Sequence, residues 1–157
     1  MASPIPESLE PIRSEIFGVE RLEHHAETLA QTHRIDPRPR RKGVPLLARF
    51  EENARVLQQS YSALAAAAQK DQAISPAAEW LLDNFHVIDD QLREVRSALP
   101  SAYYRELPKL VDGHLAGHPR VYGITWEFVA HTDSRFDADL LERYVLAYQR
   151  VTPLTMG

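Results

Sequence analysis

Histidines in pairs and carboxylates set among aromatic residues are the side chains of this sequence best suited to chemistry. His24 and His25 are adjacent and His33 follows; His114 and His118 stand four apart, the spacing at which one helix face presents two imidazoles to a metal. That pairing needs a helix. Gly113, Gly117 and Pro119 argue against one there, and His114 is not followed by the glutamate of a zinc-protease motif. The histidines are therefore expected to be loop and surface residues. Among the carboxylates, Asp83 with Asp89 and Asp90, and Glu127 with Asp133, raise the possibility of an acid and a base acting across a glycosidic bond. Asp83, Asp89 and Asp90 fall on the polar flank of a helix, where charge faces water or pairs with Arg93 and Arg96. Glu127 lies between Trp126 and Phe128, which favours a partly buried ion pair with Arg120 or Arg135 over a general acid. No catalytic, cofactor-binding or metal-ligating residue is assigned on this reading.

Other chemistries find less support. The chain has no cysteine, which removes disulfides, thiolate metal ligands and a thiol nucleophile together. Neither a Gly-x-Ser-x-Gly elbow nor a Gly-x-Gly-x-x-Gly phosphate loop is present. A net charge of -4 offers no general attraction to polyanions. Locally, Arg38, Arg40, Arg41 and Lys42 form a basic run suited to anionic lipid headgroups, while the lack of interleaved aromatic residues speaks against nucleic acid. Trp80, Tyr103, Tyr104, Tyr122 and Trp126 could serve as sugar-stacking platforms, although their spacing is also that of core residues.

The elements that would hold these residues are helical. Apolar side chains at Ile16, Val19, Leu22, Ala26 and Leu29 place a helix over about 16–33, after a flexible leader at 1–15. A proline-rich basic linker spans 34–43. Pro45 opens a long helix whose stripe runs through Leu46, Phe50, Asn53, Leu57, Tyr61, Leu64 and Ala68, broken only at Asn53. Ser75 and Pro76 read as cap and first residue of a third helix. Its stripe of Leu81, Phe85, Ile88, Leu92, Val95 and Leu99, widened by Trp80, Leu82 and Val87, is expected to be central to the core and antiparallel to the helix before it. Turns and a short helix follow. The β-branched and aromatic stretch 120–131 is assigned to helix because no partner strand is evident, and Leu140, Leu141, Tyr144, Val145 and Tyr148 mark a last helix. The expected fold is an all-α bundle of four to five helices forming a single domain over 16–157. The start lacks the basic and apolar regions of a secretory signal, and the C-terminal residues look cut short.

Two tracts carry a more specific signal than periodicity. Pro76-Ala-Ala-Glu-Trp-Leu-Leu-Asp-Asn-Phe-His-Val-Ile-Asp-Asp-Gln-Leu-Arg-Glu-Val-Arg96, continued by Leu99-Pro-Ser-Ala-Tyr-Tyr-Arg-Glu-Leu-Pro108, resembles the N-terminal region of the bacterial cyclic β-1,2-glucan synthases. So does Gly117-His-Pro-Arg-Val-Tyr-Gly-Ile-Thr-Trp-Glu-Phe-Val-Ala-His-Thr-Asp133 with Leu140-Leu-Glu-Arg-Tyr-Val-Leu-Ala-Tyr-Gln149. The resemblance implies a cytoplasmic helical segment of a large inner-membrane enzyme that builds and cyclises β-1,2-glucan from UDP-glucose with a divalent metal. It implies that the transmembrane, glycosyltransferase and phosphorylase-like regions are absent from these residues, so no catalytic position carries over. The partners implied are those remaining domains, with self-association expected of the isolated segment.

Overall fold

The computed structural model describes residues 14–36, 43–70, 72–133 and 135–155. They form six helices: α1 (Val19–Thr32), α2 (Leu46–Ala68), α3 (Pro76–Ala98), α4 (Ser101–Glu106), α5 (Arg120–His131) and α6 (Ala138–Val151). No strand occurs among the described residues, so the all-α expectation holds, with a helix count close to the one expected. The stretch rich in β-branched residues is helix α5. Arg38, Arg40, Arg41 and Lys42 lie outside the described residues.

The chain divides into two compact units, one from the described parts of Met1–Gly43 and Leu107–Gly157 and the other from Val44–Glu106. In the first, α1 lies along α6, with α5 packed on both. Its core is Leu22, Ala26, Ala30, Ile124, Phe128, Tyr144, Ala147 and Tyr148. Alanines on α1 and α6 let the helices approach closely enough for the two tyrosines to be wholly buried. Arg143 to Glu23 and Arg150 to Glu27 pair across the rim of α1 and α6, and the Thr152 hydroxyl donates to the carbonyl of Ala30. Asp137 caps α6 by accepting from the Leu140 N–H.

The start of α1 differs from its sequence expectation. Ile16 is exposed and the helix begins at Val19, because residues 14–17 run extended against the end of α5. There the Ser14 and Phe17 N–H groups donate to the carbonyls of Ala130 and His131. Those two carbonyls belong to the last turn of α5, which has no intrahelical partner for them. Between α4 and α5 the chain turns through Gly113 and Gly117, and Gly117 takes a φ of 82° that favours glycine. Isolated bridges join Ile35 to Leu110 and Lys109 to Pro119. Gly123 of α5 is also required: a Cβ there would come within 2.9 Å of Leu110 Cδ1.

The second unit is a helical hairpin with α4 after it. Ser75 caps α3 by accepting from the Ala78 N–H, as the Ser-Pro pair predicts. The Tyr61 and Phe85 rings stack 4.1 Å apart, and Glu51 near the start of α2 meets Arg96 near the end of α3, so the helices run antiparallel. The Tyr104 hydroxyl donates to the Val44 carbonyl. Two details correct the sequence reading. Ala54 is the buried residue of α2 and Asn53 is exposed, so the stripe steps through Ala54. Nor does α3 organise the main core: Trp80 is 61% exposed and Val87 50%, while only Ala78 and Leu92 of this helix are buried. A two-helix hairpin covers one face of each helix and leaves flanking apolar side chains uncovered.

Candidate functional site

A cluster of imidazoles around one carboxylate lies at the end of α5. Glu127 and His131 are one helical turn apart on α5, and His25 faces them from α1. These positions follow from the core. Leu22, Ala26 and Ala30 turn one face of α1 inward and carry His25 at its border; Ile124 and Phe128 do the same for α5. His25 Nε2 lies 3.1 Å and His131 Nε2 3.5 Å from the same oxygen, Glu127 Oε2. His114, from the glycine-rich turn, approaches the other oxygen, with Nε2 3.6 Å from Oε1.

The cluster is largely shielded from water. Side-chain exposure is 10% for His131, 15% for Glu127 and 25% for His25, against 66% for His114. Phe17 covers one wall, stacked on His131 at 3.8 Å and edge-on to His25 at 5.4 Å. Its own N–H is bonded to the His131 carbonyl, so residues 14–17 position both ring and helix end. His131 Nδ1 is 2.6 Å from the Glu15 carbonyl. A carbonyl can only accept, so Nδ1 is the donor here, and Nε2 is the ring nitrogen turned toward Glu127.

The electrostatics follow from this geometry. The hydrogen bond from His25 holds the Glu127 carboxyl below the usual carboxylate range; burial opposes this, and the charges of His25, His114 and His131 add to it. Behind the cluster, Tyr144 is fully buried, its hydroxyl has no hydrogen-bond partner among the described residues, and burial followed by the charge of Glu127 raises its pKa. His33 forms a separate pair, Nδ1 to Tyr148 Oη at 3.2 Å, and burial lowers its pKa.

The sequence-level candidates fall as follows. Glu127 is indeed partly buried and paired, but with histidines instead of Arg120 or Arg135; Arg120 is buried and donates from Nη2 to the Pro153 carbonyl. Asp133 is exposed beyond α5 in left-handed backbone, φ 51°. Arg93 pairs with Asp89 and Asp90 on the exposed flank of α3, as expected, whereas Arg96 turns to Glu51 of α2. His114 and His118 sit in a turn, not a helix, and His118 contacts the Leu115 carbonyl and stacks on Tyr122. His24 is exposed, but His25 and His33 are half-buried, against the expectation of surface residues. Trp80, Tyr103 and Tyr104 belong to one unit, and Tyr122 and Trp126 to the other. Sequence reasoning missed His131 and the partnership of His25. Glu127 and His131 stand four apart on one helix, a signal as plain as that of His114 and His118; the approach of His25 across 102 residues has no local signal.

Among known proteins, a region of this chain is related to part of the cyclic beta-(1,2)-glucan synthase NdvB of Rhizobium meliloti (strain 1021), with 39% identity over 111 residues. The match takes in 70% of this chain and 4% of that protein's length. No family model matches the chain, and no solved structure matches it. No helix among the described residues is long and apolar enough to cross a membrane.

Proposed function

We propose that the chain is a non-catalytic helical segment of a cyclic β-1,2-glucan synthase-like glycosyltransferase, lying on the cytoplasmic side and bracing the domains that carry the chemistry. The carrying observation is the 39% identity over 111 residues to the glucan synthase NdvB. In this reading UDP-glucose and its divalent ion are bound by the other domains, which are also the partners of this segment. The basic residues Arg38, Arg40, Arg41 and Lys42 would meet anionic headgroups at the membrane surface.

The state of Glu127 supports the non-catalytic role. A glycosidase acid must hold its proton near neutral pH through a raised pKa, and Glu127 is shifted the other way by His25. Asp133, its suggested counterpart, is exposed beyond the helix. A glucan-binding module is a second reading, favoured by the 61% exposure of Trp80, an aromatic face open to a sugar ring.

Three measurements test this. The coding sequence downstream of Gly157 is expected to continue in frame into transmembrane and glycosyltransferase sequence. UDP-glucose or β-1,2-glucan turnover by the chain alone, abolished in Glu127→Gln, would overturn the non-catalytic role. A tryptophan-fluorescence titration with linear β-1,2-glucan that saturates, and is lost in Trp80→Ala, would establish the binding module instead.

A further inference from the structure

We propose that His25, Glu127 and His131 form a binding site for a divalent transition metal of the zinc type, with three protein ligands and the fourth position left to a non-protein ligand. The site is built wholly within one compact unit and does not depend on the glucan synthase reading.

Geometry is the first ground. Zinc bonds to imidazole nitrogen and carboxylate oxygen are about 2.0–2.2 Å, so tetrahedral ligand atoms lie roughly 3.4 Å apart. His25 Nε2 and His131 Nε2 stand 3.1 and 3.5 Å from Glu127 Oε2, and one ligand atom from each of the three residues lies within 4.8 Å of the others. Two histidines and a glutamate are a known donor set for zinc sites that keep one position open.

The second ground is how the ligands are supported. His131 donates Nδ1–H to the Glu15 carbonyl, the outer bond by which a ligating histidine is held in the right tautomer and orientation. Phe17 stacked against His131 supplies an apolar wall that limits hydration of the site.

The third ground is charge. With Nδ1 of His131 bonded outward to the Glu15 carbonyl, the Nε2 atoms of His131 and His25 both converge on the anionic Glu127 Oε2, a donor set that one divalent cation between them would neutralise. One divalent ion satisfies both lone pairs and the carboxylate at once. Exposed histidines such as His24, 3.9 Å from Glu27 and 81% exposed, have no such convergence.

The experiment uses the untagged, metal-free 157-residue chain, titrated with zinc by calorimetry and with cobalt(II) by visible absorption. One zinc per chain is expected, with a rise in Tm, proton release on binding, and cobalt bands of the intensity given by low-coordinate sites. Glu127→Gln and His25→Gln should each weaken zinc binding by about tenfold or more, while His24→Gln leaves it unchanged. Histidine nitrogen resonances of the unmutated chain supply a readout free of folding effects, with Nε2 of His25 and His131 shifting on zinc addition. Failure to saturate at one equivalent, equal loss in His24→Gln and His25→Gln, retention of full affinity in Glu127→Gln, or zinc shifts confined to the exposed His24 and His86 would each overturn the site.

Discussion

The two units of this chain use helices of different length to opposite ends. The hairpin has the longer ones, 23 residues each in α2 and α3, yet among their described residues only Ala54, Ala78 and Leu92 are buried. The other unit has helices of 12 to 14 residues and buries Leu22, Tyr144 and Tyr148 completely. Helix length therefore says little about where stability resides. Three helices enclose a space that two cannot, and tertiary burial contributes more than local propensity. The polar cluster sits in the unit with the dense core, where burial holds its rings in place; the hairpin's charges, Asp89, Asp90 and Arg93, stay in water.

The largest expected effects come from cutting into each core. Leu22→Ala should cost about 3–4 kcal/mol, since Leu22 has no exposed surface and a rigid core relaxes little around a cavity. Leu92→Ala should cost about 2 kcal/mol, because side chains of a two-helix contact can collapse into the gap. Chemical denaturation of both variants, with amide exchange read separately for the two units, tests the contrast. Equal losses, or faster-exchanging amides in α1 and α6 than in α2 and α3, would break it.

Next in size is the cluster itself. Glu127→Gln should cost about 1–3 kcal/mol at neutral pH through the lost charge-assisted bond to His25. Since the folded carboxyl is held below its unfolded value of about 4.3, its contribution is fully present above that pH and disappears as pH falls through the folded value. His33 acts in a higher window. Its burial-lowered pKa means that stability present above about pH 6.5 is lost as pH falls through its folded value. Denaturation midpoints across pH should show the acid-side loss shrink in Glu127→Gln and the loss below neutrality shrink in His33→Gln.

Much of this was legible beforehand, and the omissions have physical reasons. The Ser75-Pro76 start of α3 and the helical state of 120–131 are local matters, decided within a few residues by hydrogen-bond geometry and side-chain spacing. Periodicity tells which face of a helix is apolar but not what that face meets. Thus α3, with the cleanest stripe, proves to lie in a hairpin, and the core forms from the less regular α1, α5 and α6. The extended segment 14–17 escapes notice for the same reason. Its Ile16 fits a helical stripe, and only the unpaired carbonyls at the end of α5 explain why the chain stays extended there.

The smallest effects compare like with like. Ser75 and Asp137 each accept one backbone N–H at the start of a helix, and replacing either by alanine should cost about 1 kcal/mol overall. The consequences should nonetheless differ along the chain. In α6 the first turn is followed by the buried Tyr144, so fraying stops within a turn and exchange rises only for amides next to Asp137. In α3 the residues after Ala78 are only partly covered until Leu92, leaving three turns with little burial to resist fraying. Ser75→Ala should therefore raise exchange well into α3 and destabilise its contact with α2 at Tyr61 and Phe85. If both variants fray over the same length, the difference in burial does not control local stability, and the contrast between the units would reduce to the size of the side chains they enclose.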